Sequence, residues 1–400
     1  MWKIVKHCFA LVLFAIAIHG NENETPKEEK VSLEKQKENL IIILYQMAQN
    51  NESIHNKFQP LKDGLLPTGG YSVMFKVNIV VSLEIGISSS DKEMIVAMKF
   101  IALKHLEEAK REFAIYSYLN AVDNPQIERF GIPNVYYYNE WNGYMLTVFS
   151  YFDDGDLIDR HWKGHFSKSK GNQCINSLIL FREFVRQSKY LHSRGVRHDD
   201  IKPENIMLRK HRSFLIDFDL SSKMNEDNGG GTFDYASRKY LNDGRIRTVL
   251  DDYESFLYAM CRLNQIELKW FDNPRFKRID DYSFLIIVLS RMKEEETKKF
   301  TSRVNKAIKS APLKQIFLKF ANETFQEDGS FPDYDGLYDA INAEINKFDR
   351  PWFTWLKDNQ IAEAELELLE NPLPDIRTDI ADPKEFDFKY DTVNFTRFYE

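Results

Sequence analysis

The amino-acid sequence predicts an α+β fold in which strands precede helices along the chain. β-Branched and aromatic residues with strand-like spacing dominate residues 71–152, interrupted by one helical segment near residues 103–119. Apolar residues then recur at helical spacing over residues 175–192, 248–263 and 313–325. Segregation of the two kinds of element along the chain is typical of α+β proteins.

The composition limits the size and the class of the protein. The chain has 400 residues, of which 43% are apolar, and this is enough for one large two-lobed domain or two ordinary ones. Its formal net charge of −7 argues against a general nucleic-acid binder, which would carry a basic excess. We therefore expect no nucleic-acid partner.

Residues 1–20 are typical of a secretory signal peptide. Lys3 and Lys6 form a basic start, and residues 8–18 form an uncharged apolar stretch. Small residues that suit cleavage lie at Ala15, Ala17 and Gly20. A membrane span would need about 20 apolar residues, so this stretch is too short for one. An uncleaved signal anchor is the alternative, and we expect no membrane span after cleavage.

The rest of the sequence fits a secretory route. Sequons for N-glycosylation lie at Asn23, Asn51, Asn322 and Asn394. After signal cleavage two cysteines remain, Cys174 and Cys261, and this number excludes a disulfide framework. Cys261 lies in an apolar run and is expected to pack in the core. We predict a protein that is secreted or resides in the secretory pathway.

Two segments flank the predicted domain, which we place at residues 59–348. Residues 21–58 are charged and poor in aromatic residues, but their apolar residues recur at the spacing of one amphipathic helix. Residues 349–400 combine prolines and acids with many aromatic residues. We expect this tail to lie along the domain, because its aromatic residues can anchor it there.

Two short segments carry residues that phosphoryl transfer requires. Residues 198–205 read His-Asp-Asp-Ile-Lys-Pro-Glu-Asn, and residues 217–219 read Asp-Phe-Asp. The transfer needs a carboxylate that orients the attacking hydroxyl group and a cation on the moving phosphate. Asp200 and Lys202 supply these two groups, and we predict that both are catalytic.

The same segments offer oxygen ligands for a divalent cation. Asn205 and Asp217 are predicted to ligate Mg²⁺ or Mn²⁺. In order and spacing, the segments resemble the catalytic loop and metal-binding turn of the eukaryotic protein kinases, and Lys202 is placed as in their serine/threonine-specific branch. The resemblance implies a bilobal protein-kinase-like fold with a small strand-rich N-lobe and a larger helical C-lobe. It also implies ATP as the phosphate donor.

An upstream strand resembles the phosphate-binding part of the same family. Val-Ala-Met-Lys ends at Lys99, which in this motif pairs with the α- and β-phosphates of ATP. A helix downstream offers an ion-pair partner for it. We prefer Glu112, and Glu107 and Glu108 are the alternatives.

The glycine-rich loop that covers the phosphates is matched only in part. Gly69 and Gly70 fit its centre, whereas Pro67 and Ser72 occupy the first and third glycine positions. Proline removes an amide donor and restricts the backbone, so this loop is a degraded match.

Residues 149–157 stand where a kinase holds adenine through the backbone of its hinge. Phe149 would be the bulky residue behind the base, and Tyr151 would lie in the hinge. A register shifted by one residue would put Ser150 behind the base instead.

Three further motifs resemble the casein kinase 1 superfamily, which includes the vaccinia-related and tau-tubulin kinases. They lie at residues 231–237, 251–258 and 332–337. The resemblance implies that Thr232 hydrogen-bonds the catalytic pair of Asp200 and Lys202. It also implies that Asp252 anchors the backbone of the catalytic loop.

The chain departs from the family pattern at three acidic positions. Asp199 replaces the arginine of His-Arg-Asp, and we expect it to be solvated because neighbouring loop residues usually point apart. Asp219 replaces the last glycine of the metal-binding turn, where aspartate tolerates left-handed backbone less freely than glycine. Asp234 replaces an arginine that receives substrate phosphate, so a preference for phospho-primed substrates does not carry over.

The sequence therefore predicts an ATP-dependent serine/threonine protein kinase of the secretory pathway, acting on protein substrates. The alternative is a secreted pseudokinase that serves as a nucleotide-binding or scaffold module. The degraded glycine-rich loop, Asp199 and Asp219 favour that alternative, whereas retention of every charged residue of the chemistry favours activity. A small-molecule kinase is the third possibility, disfavoured because residues 231–237 resemble a peptide-docking loop.

Overall fold

A computed structural model describes residues 58–66, 72–85, 88–122, 124–141, 143–158, 170–209, 212–224, 226, 229–243, 247–271, 273, 282–326 and 331–347. The chain divides into two compact units. The first contains the described residues up to Gly155 together with Met207–Arg209 and Phe214–Asp219. The second contains the other described residues.

The first unit is built on an antiparallel sheet. Its strands have the spatial order β1-β2-β3-β5-β4. They are β1 (Phe58–Leu66), β2 (Ser72–Ile85), β3 (Ser88–Ala102), β4 (Val135–Trp141) and β5 (Tyr144–Ser150). The register places Lys99 of β3 opposite Thr147 of β5, so the centre of the sheet carries a predicted site residue.

One helix, α1 (Leu106–Tyr118), packs on this sheet and fulfils the prediction of a helix near residues 103–119. A 3-10 turn at Leu103–His105 leads into it. Ala109 of α1 is buried with Ile101 and Met145 of the sheet. The ring of Phe113 stacks on that of Tyr138 with their centroids 3.8 Å apart. These apolar contacts fix which face of α1 is turned to the sheet.

The second unit is helical, as predicted. In its described part the helices are α2 (Lys170–Ser193), α3 (Arg238–Asp243), α4 (Val249–Leu263), α5 (Tyr282–Lys298), α6 (Phe300–Ala307), α7 (Ala311–Thr324) and α8 (Tyr334–Ile345). Helix α4 begins with a capping box in which Thr248 and Asp251 satisfy each other's backbone N–H groups. Because nearly every residue of α4 is buried, this helix is the centre of the unit.

Aromatic rings fill the core between α2, α4 and α7. Phe184 of α2 stacks on Phe256 of α4 at 3.9 Å, and Tyr253 stacks on Phe320 of α7 at 4.7 Å between ring centroids. Cys261 is fully buried in this helix core, as predicted, and burial raises the pKa of its thiol well above the usual value.

Short strands accompany the loops that carry the predicted catalytic residues. They are β6 (Val196–Arg197), β7 (Ile206–Arg209), β8 (Arg212–Leu215) and β9 (Ser222–Lys223). In the second unit β6 pairs with β9, with Arg197 opposite Ser222. This pairing joins the residues before the catalytic loop to those after the metal-binding turn.

Several predictions fall outside the described residues. These are the signal peptide at residues 1–20, nearly all of the extension at 21–58, the loop glycines Gly69 and Gly70, and the tail at 349–400. In the described part of the chain, no helix combines the length and apolar character that a bilayer crossing demands.

Candidate active site

In the first unit Lys99 lies between two carboxylates. Its Nζ donates to Glu112 Oε2 at 2.9 Å and to Asp217 Oδ1 at 2.8 Å. The competing acids have other partners, since Glu107 pairs with Lys110 and Glu108 with His105. The structure therefore brings Lys99 together with Glu112, the preferred candidate among the three.

Burial and charge act in opposite directions on this group. Burial lowers the pKa of Lys99, but the charges of Asp217, Glu112 and Asp219 outweigh it and hold the pKa well above its usual value. Burial also raises the pKa of Glu112 to about 7, and the Lys99 charge opposes that rise. Lys99 is thus an ammonium group at neutral pH, as a phosphate ligand must be.

Asp217 begins the metal-binding turn in left-handed backbone, with φ of 66°. Its side chain is 34% exposed, whereas the following Phe218 is fully buried against Tyr116, with the ring centroids 5.1 Å apart. Asp219, which stands at the position of the family's glycine, does not have a left-handed backbone. The left-handed residue is therefore Asp217, the first of the turn. Its side chain is partly exposed, whereas that of Phe218 is buried.

At the end of β5 the register with Phe149 behind the hinge fits the packing better than the one with Ser150. Phe149 is buried and its ring centroid lies 5.3 Å from that of Tyr116. Ser150 is also buried, but its hydroxyl hydrogen-bonds Glu128. Tyr151 is half-buried, and the Nζ of Lys76 lies 4.5 Å from the centre of its ring.

In the second unit four predicted residues form one hydrogen-bonded group. Lys202 Nζ donates to Asp200 Oδ2 at 2.6 Å and to Thr232 Oγ1 at 3.0 Å. The backbone N–H of Thr232 donates to Asp200 Oδ1 at 2.8 Å. Asn205 Nδ2 donates to the Asp200 backbone oxygen at 3.0 Å and to Oδ2 at 3.2 Å. Asp200 is thereby fixed from three directions, and this includes the contact with Thr232 that the family resemblance implied.

Asp252 of α4 holds the backbone of the catalytic loop, as the resemblance also implied. Its carboxylate accepts from the N–H groups of His198 at 2.8 Å and Asp199 at 2.9 Å. It also lies 3.2 Å from His192 Nε2. Burial alone would raise the pKa of Asp252, but hydrogen bonds and positive charge from His192 and His198 lower it below the usual value.

The prediction that Asp199 is solvated is wrong. Its side chain is fully buried and its backbone is left-handed, with φ of 64°. The carboxylate accepts from Arg197 and from the hydroxyl of Ser222. Burial, together with the charge of Asp252, raises the pKa of Asp199 to about 6, and Arg197 and Arg247 oppose the rise. The left-handed turn is the physical reason for the error, because it aims this side chain inward.

Lys293 of α5 is a site residue that the sequence analysis missed. Its buried Nζ donates to the backbone oxygens of Phe233 at 2.9 Å and Asp234 at 3.2 Å, and also to that of Ala236. The ammonium lies 4.8 Å from the centre of the Tyr258 ring. Lys293 follows the buried Leu289 by four positions, about one helical turn, and this spacing was the available signal. A lysine at such a position is nevertheless usually expected to be solvated.

The predicted metal ligands have the right chemistry and belong to different units, Asn205 to the second and Asp217 to the first. Both present oxygen, which Mg²⁺ prefers. The two hydrogen bonds from Asn205 Nδ2 to Asp200 turn the amide oxygen away from that carboxylate. In the parts of the chain that the structure describes, no cluster of three or more His, Cys, Asp or Glu side chains could hold a different metal.

Comparisons with known proteins agree with this chemistry. Residues 85–253 match the family model of the protein kinase domain. A casein kinase 1-like protein of Oryza sativa subsp. japonica is 26% identical over 253 residues, which are 58% of this chain and 32% of that protein. The serine/threonine-protein kinase chk-1 of Caenorhabditis briggsae is 26% identical over 197 residues, 46% of this chain and 38% of that protein.

A relative named as a probable casein kinase I homolog, from Encephalitozoon cuniculi, is 26% identical over 191 residues, 44% of this chain and 59% of that protein. The chain spans 32% and 38% of the lengths of the rice and nematode relatives. The domain match, the strand-rich sheet and the helical unit together confirm the predicted α+β protein-kinase fold class.

Proposed function

We propose that the protein transfers the γ-phosphate of ATP to serine or threonine hydroxyl groups of protein substrates. The observation that carries this proposal is the hydrogen-bonded group of Asp200, Lys202 and Thr232 in the second unit. A carboxylate, an ammonium and a hydroxyl in mutual contact are what the serine/threonine branch of the family uses at the reacting atoms.

Each side chain has a distinct part in the reaction. Asp200 accepts the hydrogen bond of the substrate hydroxyl and then its proton, since its Oδ1, which accepts the N–H of Thr232, has a second lone pair. Lys202 places positive charge beside the phosphate as it moves. Lys99, kept charged by its two carboxylate neighbours, binds the non-transferring phosphates.

A divalent cation fits the residues that are present. Asn205 and Asp217 would hold Mg²⁺ or Mn²⁺, and the bound ion would offset the negative charge of the ATP phosphates. The positions of Asn205, fixed by Asp200, and of Asp217, fixed by Lys99, are set by this chain's own hydrogen bonds. Within its own unit, each of these two side chains is therefore held in place by the protein before any ion binds.

The decisive experiment measures transfer of labelled γ-phosphate from ATP to casein and to the protein itself, with Mg²⁺ and with Mn²⁺. Asp200→Asn should abolish transfer. Asp335→Asn, which removes an exposed carboxylate paired with Lys189 in the same unit, should not. Binding of ATP without any transfer by the wild type would refute the proposal and establish the pseudokinase alternative.

We also propose that unprimed peptides are the preferred substrates. Asp234 stands where the related family has a phosphate-receiving arginine. Two basic neighbours that could replace it have structural partners: Arg238 pairs with Glu254, and Lys239 Nζ donates to the backbone oxygen of Gln326. Asp234→Arg should raise turnover of a phospho-primed peptide relative to its unprimed twin. A strong preference of the wild type for the primed peptide would contradict this reading.

The site of action is proposed to be the secretory pathway. Residues 1–20 supply the signal, and Asn322 lies exposed on α7, where an attached glycan would meet solvent. Expression in secreting cells should yield a product that starts near Asn21 and shifts in mass after glycosidase treatment. A product that retains Met1 and carries no glycan would overturn this assignment.

A further inference from the structure

We propose that Arg197 and Arg247, which both contact the buried Asp199, hold the segment from β9 to Thr232 against the catalytic loop without a phosphate on that segment. The two arginines are positioning residues for the reaction proposed above, on which this inference rests. Many kinases order the corresponding segment only when a phosphate on it meets an arginine.

Arg197 and Asp199 form a two-pronged ion pair inside the second unit. Arg197 Nε lies 3.0 Å from Asp199 Oδ1, and Nη2 lies 3.2 Å from Oδ2. Both side chains are fully buried. Charge-assisted bonds of this forked kind are among the strongest and most directional in proteins. Asp199 therefore fixes the orientation of the Arg197 guanidinium.

The fixed guanidinium reaches the segment that follows β9. Arg197 Nη1 donates to the backbone oxygens of Lys223 at 2.9 Å and Met224 at 2.8 Å, and Nη2 donates to that of Glu226 at 2.6 Å. The hydroxyl of Ser222 completes the contact by donating to Asp199. One buried arginine thus secures the beginning of the segment through its backbone, independently of its side chains.

Arg247 secures the end of the same segment. Its Nη1 donates to the backbone oxygen of Asp199 at 3.2 Å, and its Nη2 donates to that of Gly230. The guanidinium stacks on the ring of Tyr240 at 3.7 Å, which holds it in place. The loop and the segment therefore share this guanidinium.

Gly231 shows how closely the segment approaches the loop. Its φ of 100° favours glycine, and a Cβ atom there would lie 3.1 Å from the backbone oxygen of Asp199. The next residue, Thr232, donates its N–H to Asp200 Oδ1. Contact between segment and loop thus continues from the arginines to the catalytic carboxylate.

The charges explain why no phosphate is required. Arg197 already has a carboxylate partner in Asp199, and its other N–H groups bond backbone oxygens. A phosphate added to the segment would meet the negative charge of Asp199 and compete for an arginine that is already paired. Aspartate at the position of the family's arginine therefore supplies the anion internally.

The test is hydrogen exchange measured by mass spectrometry on peptides covering residues 221–232, in protein treated with phosphatase. The wild type should protect these amides equally before and after treatment. Arg197→Lys keeps the charge but loses the fork, and Asp199→Asn loses the charge; each should speed exchange about tenfold or more, because bonds to charged groups are lost. Arg303→Lys, which alters another arginine–carboxylate pair of the same unit, with Glu296, is the matched control.

A milder variant guards against misfolding. If either substitution lowers the melting temperature too far, Ser222→Ala, which removes one hydroxyl from Asp199, should still speed exchange in these peptides. In kinetics, Arg197→Lys should lower kcat about tenfold while leaving KM for ATP within about twofold. Arg247→Lys should do the same.

Two results would overturn the inference: protection of residues 221–232 that appears only in phosphorylated protein, or unchanged protection in Arg197→Lys and Asp199→Asn. Because exchange is read without turnover, a wild type that transfers no phosphate would refute the proposed activity alone. The exchange data would still test whether the pairing of Arg197 with Asp199 holds the segment.

Discussion

Replacing Asp252 by asparagine should show how much its carboxylate contributes to the stability of the protein. The Asp252 carboxylate accepts two backbone N–H groups, from His198 and Asp199, on different oxygens. Asparagine keeps one acceptor oxygen but turns an NH₂ group toward the other donor. One charged hydrogen bond is lost and one buried N–H is left unsatisfied, a cost of about 3 kcal/mol. In a domain of this size the melting temperature should fall by roughly 6–12 °C.

The effect of Asp252→Asn should depend on pH in a defined direction. The pKa of Asp252 is lower in the folded state than its unfolded value of 3.8. The stability it contributes is therefore fully present above that value and is lost as pH falls through the folded pKa. Wild type and variant should differ most near neutral pH and converge only as the pH falls below the folded pKa of Asp252.

Urea unfolding followed by tryptophan fluorescence at several pH values measures this difference. Asp335→Asn serves as the control, because its carboxylate is 60% exposed and should contribute little at any pH. A variant as stable as the wild type at pH 7, or a gap that widens in acid, would refute the role assigned to Asp252.

Three further substitutions test other parts of the structure. Lys99→Met should abolish transfer and weaken ATP binding, because the phosphates lose their cation; titration calorimetry with ATP and Mg²⁺ would detect binding that persists unchanged. Thr232→Ala should lower kcat about tenfold with little change in KM for ATP, since Lys202 loses one hydrogen bond, and steady-state kinetics should show recovery in Thr232→Ser. Phe184→Ala should lower the free energy of unfolding by about 3–5 kcal/mol, because its ring stacks on Phe256; a urea titration that shows under 1 kcal/mol would contradict this packing.

The sequence predicted those features that depend on local spacing. Helices α1 and α4 lie where the sequence predicted helical segments, near residues 103–119 and 248–263. The proximity of Asp200 and Lys202 follows from their separation by two positions. These features need only a few consecutive residues, so one sequence is sufficient to infer them.

The sequence could not predict features created by tertiary contacts. The inward orientation of Asp199 depends on its left-handed backbone and on Ser222, which is distant along the chain. The grouping of Met207–Arg209 and Phe214–Asp219 with the first unit likewise breaks the simple order of strands before helices. The amino-acid composition of these short segments does not indicate which of the two units they belong to.

Lys293 has a consequence for the energetics of substrate recognition. By bonding the carbonyl groups of Phe233, Asp234 and Ala236, it orders the proposed docking loop in the absence of any substrate. Fixing the backbone of one residue costs about 1–2 kcal/mol of conformational entropy. For a loop of this length, an entropic cost of several kcal/mol is therefore incurred when the protein folds, before any substrate binds. A peptide that binds there need not meet this cost, so short and weakly interacting sequences can still be recognised.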